Sequence, residues 1–334
     1  AAAAVEVCQK AGIVSGKGDG RFDPKGTASR AEVATLLTNF HMDYADNEEP
    51  GETIIPLDEV LENITPMETT ITIPGLTNEY TFLHVTDLHM CAMVPEDEPL
   101  VKSRYEVAQQ REAAFTVDGM KSADRLPYFM SYAQHIQADK ILMTGDIIDF
   151  PSKTNLELLK QAIAGSKIPT SYILGNHDWV YADLQMGEGT RDMYGPKFLD
   201  ISDGNIDMHY DEYEDLIVLA IDNSTDRISS EQLALTEELM AKGKPMLIMM
   251  HVPMYSPTLS EDVKKAWSDR DITLGGEGIV HDSNADVFIE MISAENSPVE
   301  GLIVGHVHFD HEDLVGGSVK QYITGAAYEG DCRV

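Results

Sequence analysis

The sequence is poor in cysteine, in basic residues and in long apolar runs. Its three cysteines, Cys8, Cys91 and Cys332, are widely spaced and match neither a zinc-binding pattern nor a disulfide framework. No apolar run approaches the roughly 18 residues of a transmembrane helix, so a membrane span is not expected. Lysine and arginine number 24 against 57 acidic residues, and the formal net charge is -33. A chain of this charge without a basic stripe is not expected to bind nucleic acid.

Changes in composition divide the chain into three parts. Residues 1–42 are predicted to form a small helical unit around a loop rich in Gly and Asp. Residues 43–59 are acidic, carry two prolines and a glycine, and show no helical period, so they are predicted to be a linker. Residues 60–334 are long enough to bury a large core and are predicted to form one domain.

The first part carries a specific motif. Gly12-Ile-Val-Ser-Gly16 precedes the loop Gly18-Asp-Gly-Arg-Phe-Asp-Pro24, and Ser29-Arg-Ala-Glu32 follows it. This pattern resembles one S-layer homology repeat, a module that docks bacterial surface proteins onto cell-wall polysaccharide. The resemblance implies that Arg30 contacts an anionic sugar and that the protein is extracellular, at the cell wall or cell surface. A packing remnant without a ligand is the alternative for this single repeat.

The third part alternates between strands and helices, which predicts an α/β layered domain. A hairpin is predicted from Thr70–Ile73 and Tyr80–Thr86. The later strands are predicted at Ile141–Met143, Ser171–Leu174, Leu216–Ile221, Met246–Met250, Leu302–Val304 and Lys320–Thr324. The helices are predicted at Leu126–Ala138, Asn155–Ala164, Glu231–Ala241 and Ala285–Ala294. Three long irregular stretches, at 90–125, 179–215 and 254–282, interrupt this order, and stretches of this length are usually functional.

Side chains of the types that can bind metal ions or act beside them follow five of these strands. They are Asp87 and His89, Asp146 and Asp149, Asn176, His177 and Asp178, His251, and finally His306 and His308. Ligand sites in α/β sheets lie beyond the carboxyl ends of the strands, so we expect these side chains to converge. Carboxylate, imidazole and amide ligands without thiolates suit Mn, Fe or Zn. Two such ions about 3.5–4 Å apart need a bridging carboxylate, and Asp146 is the predicted bridge.

Taken together and in this order, the five motifs resemble those of the calcineurin-like metallophosphoesterases. That family's pattern runs Asp-x-His, Gly-Asp-x-x-Asp, Gly-Asn-His-Asp/Glu, His and Gly-His-x-His, and in this chain it spans Asp87 to His308. The resemblance implies a four-layer α/β/β/α sandwich. It also implies hydrolysis of a small phosphomonoester or phosphodiester by a hydroxide bound at a dinuclear metal centre. The alternative is a wall-attached structural or adhesive protein with a non-catalytic phosphoesterase fold.

The same resemblance implies a role for each site residue. The implied ligands of one metal ion are Asp87, His89 and His308, and those of the other are Asn176, His251 and His306. Asp146 would bridge the two ions. His177 would face the phosphate and protonate the leaving oxygen, and Asp149 would orient His177 through a hydrogen bond. Asp178 would support the site from behind the ligands. The purple acid phosphatases have a tyrosine where this chain has Asp149, so that branch of the family is not expected.

Overall fold

The computed structural model describes residues 54–268, 270, 272–276 and 283–334, and Ile54–Val334 forms one compact unit. The predicted helical N-terminal repeat, Arg30 and residues 43–53 of the predicted linker lie outside the described residues. The end of that linker belongs to the compact unit. A helix begins at Leu57 and buries Val60 in the same core cluster as Phe129, so the packed chain begins before residue 60.

Strands and helices alternate along most of the described chain. The strands are β1 (Thr65–Met67), β2 (Phe82–Val85), β3 (Lys140–Met143), β4 (Thr170–Tyr172), β5 (Met208–Glu212), β6 (Ile217–Ile221), β7 (Met246–Met249), β8 (Val299–Val304), β9 (His311–Val315), β10 (Val319–Ile323) and β11 (Asp331–Arg333). The α-helices are α1 (Leu57–Asn63), α2 (Lys102–Ala114), α3 (Ser122–His135), α4 (Lys153–Gly165), α5 (Glu188–Tyr194), α6 (Ser230–Met240), α7 (Pro257–Ala266) and α8 (Ser283–Ile292). None of the helices in these ranges has the length and hydropathy that a membrane span requires.

The strands form two sheets that place their carboxyl ends together. The first has the order β1-β11-β2-β3-β4 and the second β5-β6-β7-β8-β10-β9. Strands β2, β3 and β4 run parallel to one another, as do β6, β7, β8 and β10. Parallel strands end at the same edge, so each sheet collects the turns that follow its strands at one edge.

The central strands β3 and β7 are buried on both faces because each sheet is covered on both sides. In β3, Ile141 and Met143 pack with the helices of the first sheet, whereas Leu142 packs in a cluster that contains residues of the second sheet. In β7, Met246 and Ile248 lie in the helix-side cluster and Leu247 lies between the sheets. This alternation is the period of two that side chains have along a strand.

Three apolar layers therefore separate four layers of secondary structure. One lies between the first sheet and helices that include α3 and α4, one between the two sheets, and one between the second sheet and helices that include α6, α7 and α8. The α/β/β/α sandwich that the family resemblance implied is confirmed for the described residues.

Several local predictions were wrong or incomplete. Residues Thr70–Ile73 are not a strand: Ile73 packs between the two sheets and pairs with no neighbouring strand, so the predicted hairpin is absent from this described segment. The predicted irregular stretches contain α2, α5 and α7. Strands β5 and β9 were also missed, because their polar residues mask the alternation that identifies a strand, and so was the three-residue strand β11.

Candidate metal centre

The turns that carry the predicted ligands have an unusual backbone. Five of the residues have a positive φ: Asp87 at 54°, His89 at 48°, Asp146 at 50°, His306 at 74° and His308 at 61°. Residues other than glycine rarely adopt this left-handed conformation, and each instance costs of order 1–3 kcal/mol. Strain of this kind concentrates at functional sites, where the surrounding structure holds it in place.

Glycines allow these turns to touch. A Cβ atom on Gly145 would lie 2.1 Å from the backbone nitrogen of Gly175, and one on Gly175 would lie 2.2 Å from Oδ1 of Asp146. A Cβ atom on Gly305 would lie 2.0 Å from Oγ1 of Thr86 and 2.5 Å from Oδ2 of Asp87. The turns after β3 and β4 therefore meet at backbone contact, and the turn after β8 of the second sheet packs directly on side chains that follow β2 of the first. These approaches are possible only without a side chain at the three glycines.

Replacing Gly305 with alanine is expected to destabilise the protein by about 1–3 kcal/mol, because the new methyl group must displace Thr86 and Asp87. The measurement is the free energy of unfolding in urea. Gly189 is the matched control, since a Cβ atom there has no neighbour within 4 Å and the residue lies in helix α5. Gly189→Ala should be neutral or slightly stabilising. An equal loss in both variants would show that close approach at Gly305 is not the cause.

The first group of ligand atoms brings together Asp87, His89 and His308. Nε2 of His308 lies 3.1 Å from Nε2 of His89 and 3.3 Å from Oδ1 of Asp87. Nδ1 of His89 donates to Asp149 at 2.9 Å, so the neutral ring presents a lone pair at Nε2. Oδ1 of Asp87 is buried and has no hydrogen-bond partner. A carboxylate oxygen and two imidazole nitrogens therefore converge, an arrangement that a bound cation would satisfy.

The second group brings together Asp146, Asn176, His251 and His306. Nε2 of His251 lies 3.2 Å from each of three atoms: Oδ1 of Asn176, Nδ1 of His306 and Oδ2 of Asp146. Nδ1 of His251 donates to the carbonyl oxygen of Thr144 at 2.8 Å, which leaves Nε2 to face the group. Burial disfavours the charged imidazole, but the charge of Asp146 outweighs it and raises the pKa of His251 to about 10. The environment thus favours a positive charge at this point.

Asp146 belongs to the second group and also approaches His89 of the first. Its Oδ2 atom lies 3.2 Å from Nε2 of His251 and 3.8 Å from Nε2 of His89. Its Oδ1 atom accepts a hydrogen bond from the backbone N–H of His177 at 2.7 Å, so the carboxylate cannot turn away. The two converging groups, with Asp146 between them, would fit a pair of metal ions. Their ligand atoms are imidazole nitrogens and carboxylate oxygens, and the groups contain no thiolate.

A third convergence, of Asp149, His89 and His177, has its hydrogen bonds satisfied. Oδ1 of Asp149 lies 2.9 Å from Nδ1 of His89 and 3.1 Å from Nδ1 of His177. Arg111 donates to both oxygens of the same carboxylate at 2.6 Å. Burial raises the pKa of Asp149, but the hydrogen bonds from Arg111 and His177 outweigh it and hold that pKa well below its usual range. Asp149 therefore fixes two histidines at once.

Two further side chains hold the turns in place. Asp178 is buried and accepts hydrogen bonds from the backbone N–H groups of Asp146, Ile148 and Gly175 at 2.7–3.1 Å. Burial, together with the charge of Asp146, raises the pKa of Asp178 to about 7. Oδ1 of Asn223 accepts from the N–H groups of His251 and of the residue after it.

Sequence reasoning missed Arg111, Asn223 and two aromatic residues that contact the histidines of the first group. Phe115 stacks on His89 with ring centroids 4.4 Å apart, and Tyr328 lies edge-on to both His89 and His308. Arg111 and Phe115 lie in a stretch predicted to be irregular, so no local pattern identified them. Asn223 follows strand β6 as the ligands follow theirs, and that position was an available clue.

Two aromatic residues that follow the turn after β4 are buried packing residues. Trp179 is fully buried and its Nε1 donates to Oγ of Ser224 at 2.9 Å. Tyr181 is buried beneath the guanidinium of Arg104, which lies 3.9 Å from the ring centroid.

Comparisons with known proteins agree with the sequence patterns. The family model "Calcineurin-like phosphoesterase" matches residues 80–310, and the model "S-layer homology domain" matches residues 1–34. Both resemblances predicted from the sequence are confirmed by these matches. A search of curated protein sequences finds no significant match.

Two phosphatases are among the solved structures that resemble the chain. One is a dimetal phosphatase from Danio rerio, with 13% sequence identity and a TM-score of 0.48; the match covers 75% of this chain and 88% of that protein. The other is a purple acid phosphatase from yellow lupin (Lupinus luteus) seeds, with 11% identity and a TM-score of 0.45; the match covers 79% of this chain and 46% of that protein.

Proposed function

Because the chain belongs to the calcineurin-like phosphoesterase family, we propose that it hydrolyses a small phosphomonoester or phosphodiester at a pair of metal ions. The observation that carries the proposal is the position of Asp146 between two ligand groups: its Oδ2 atom lies 3.2 Å from Nε2 of His251 in one and 3.8 Å from Nε2 of His89 in the other. The unpartnered Oδ1 atom of Asp87 supports it, since a buried carboxylate oxygen otherwise finds a hydrogen-bond donor.

The proposed ligands follow from the two groups. One ion would be held by Asp87, His89 and His308 and the other by Asn176, His251 and His306, with Asp146 contacting both. Divalent Mn, Fe or Zn ions bound there would supply Lewis acidity towards the phosphoryl oxygens and a water nucleophile of lowered pKa.

His177 is the proposed proton donor. Its side chain is 29% exposed, whereas His89 and His251 are fully buried, and it borders a cavity beside the centre. Its Nδ1 atom is held by Asp149, so Nε2 remains for the substrate. Burial alone would lower the pKa of His177, but the charge of Asp146 and the hydrogen bond to Asp149 raise it to about 9. A protonated ring can therefore give its Nε2 proton to the leaving oxygen as the phosphorus–oxygen bond breaks.

Metal-dependent turnover tests this function directly. Purified protein, stripped with a chelator and reloaded with Mn²⁺, Fe²⁺ or Zn²⁺, should hydrolyse p-nitrophenyl phosphate or its bis-ester, and the stripped protein should not. Metal analysis should give two equivalents per chain. Protein that binds two equivalents of metal yet hydrolyses neither ester, across all three metals, would contradict the proposal.

Asp149→Asn is expected to reduce turnover and also to weaken metal binding about 10–100-fold, because Asp149 orients the ligand His89 as well as His177. The measurements are kcat with saturating metal and the metal affinity by titration. Asp211→Asn, which alters a carboxylate paired with Lys140 away from the centre, is the control and should change neither. If metal affinity is unchanged in Asp149→Asn, then Asp149 acts through His177 alone.

We propose that the protein resides at a bacterial cell wall or cell surface, outside the cell. The match of residues 1–34 to the S-layer homology domain supports this location. Arg30 would be the contact to an anionic wall polysaccharide. A pull-down of the full chain with purified wall polymer, compared with Arg30→Ala, tests it: retention of both proteins in equal amounts would exclude Arg30 as the contact.

A further inference from the structure

A cavity of about 420 Å³ opens beside His177 and Asp149. Helix α2 forms one side of it and residues 180–186 form the other. Its volume lies within the roughly 300–1,000 Å³ of small-molecule sites. His177, the proposed proton donor, borders this space and would protonate the leaving oxygen. The group attached to that oxygen would therefore occupy the cavity.

The walls of the cavity are largely apolar. Val107 lines it from the helix, and Val180, Leu184 and Met186 line it from the opposite segment. Phe150 also borders the cavity and stacks on Tyr181 with ring centroids 5.8 Å apart. An apolar or aromatic group would replace water against these surfaces and gain the free energy of its burial.

The charges that line the cavity are paired with one another. Arg104 donates to both carboxylate oxygens of Asp183, at 2.8 and 3.1 Å, and lies 3.4 Å from Glu98. Arg111 donates to both oxygens of Asp149. Neither arginine therefore offers an uncompensated positive charge to a second anionic group, and the net charge of -33 adds repulsion.

The Arg104–Asp183 pair also connects the two walls of the cavity. The side chain of Arg104 is 9% exposed and stacks on Tyr181 while it joins helix α2 to the opposite wall. This cross-link fixes the width of the cavity, because a bidentate pair restrains both segments.

We infer that this cavity is the leaving-group subsite and that it selects phosphate esters of uncharged, largely apolar alcohols, with an aryl group as the fitting example. The inference rests on the proposed function for the position of the phosphate. It adds the chemical class of the substrate and assigns Arg104 as a positioning residue of the subsite wall.

A pair of substrates that differ in charge but hardly in size tests the inference on the unmodified protein. With the metal-loaded full chain, kcat/KM for 4-carbamoylphenyl phosphate should exceed that for 4-carboxyphenyl phosphate by about tenfold or more. The corresponding benzylphosphonates, which cannot be hydrolysed, should show the same order in binding affinity by calorimetry. Equal values, or a preference for the carboxylate, would overturn the inference.

Variants locate the preference in the cavity. Asp183→Asn removes the carboxylate that neutralises Arg104, so the preference for the carbamoyl compound should shrink severalfold. Val107→Trp should fill the cavity and lower the affinity for the carbamoyl phosphonate about tenfold. Gln110→Trp, an exposed position on the same helix outside the cavity lining, is the matched control and should leave that affinity unchanged.

The two measurements separate the inference from the proposed function. Discrimination between the phosphonates without hydrolysis of either ester would leave the subsite standing and contradict the proposed function. Hydrolysis of both esters without discrimination, or equal losses in Val107→Trp and Gln110→Trp, would overturn the subsite and leave the proposed function standing.

Discussion

Replacing Asp146 with alanine is expected to abolish both metal binding and phosphoester hydrolysis. Oδ2 of Asp146 faces both ligand groups, so its removal affects both proposed ions, whereas any other proposed ligand belongs to one group. A loss of several kcal/mol of stabilisation at the reacting phosphate corresponds to a fall in kcat/KM of about a thousandfold or more. Metal analysis of the dialysed protein and kinetics with added metal measure the two effects.

Two controls separate the loss of the ligand from other consequences of the substitution. Asp203→Ala makes the same change at an exposed aspartate that also has a positive φ, 48°, so it reports the effect of alanine in that backbone conformation. Asp146→Asn keeps an oxygen that can accept from the N–H of His177 but removes the negative charge. If Asp146→Ala retains two equivalents of metal, the shared-carboxylate arrangement is wrong.

Replacing His177 with glutamine is expected to lower kcat by about 10²–10⁴-fold while both metal ions remain bound. Nδ1 of His177 is held by Asp149 rather than by the two ligand groups, so the metal content should not change. The loss should depend on the leaving group. An alkyl phosphate needs a proton on its departing oxygen, whereas p-nitrophenolate leaves readily without one.

The measurement is therefore the ratio of kcat for the two esters in the variant and in the unmodified protein. A deficit several times larger for the alkyl ester would identify proton donation by His177. An equal deficit for both esters would instead assign His177 to binding or positioning of the phosphate. Loss of metal in His177→Gln would contradict its separation from the ligand groups.

The sequence pattern could predict the buried strands because burial on both faces leaves a direct trace, whereas the four-layer arrangement was implied by the family resemblance. Runs such as Met246–Met249 are apolar throughout, which is typical of a parallel strand covered on both sides. It could also predict which side chains converge, because residues after parallel strands share one edge of the sheet. Asp87, His251 and His306 are far apart in sequence, yet each follows such a strand.

The sequence could not predict contacts that depend on how the irregular stretches fold back. Arg111 reaches Asp149 from helix α2, and no local pattern relates the two residues. The same holds for the pair Arg104–Asp183, which sets the width of the cavity. Strand β11 was missed for a related reason: its three residues become a strand only through pairing with β1 and β2.

The origin of the ligands has a consequence for folding. In the first group, Asp87 and His89 follow strand β2 of one sheet, whereas His308 follows β8 of the other. In the second group, Asp146 comes from the first sheet, whereas His251 and His306 come from the second. Each proposed ion would therefore tie the two halves of the sandwich together. A ligand that binds only the folded state raises stability with the logarithm of its concentration, so the free metal concentration would set how firmly the two sheets stay joined.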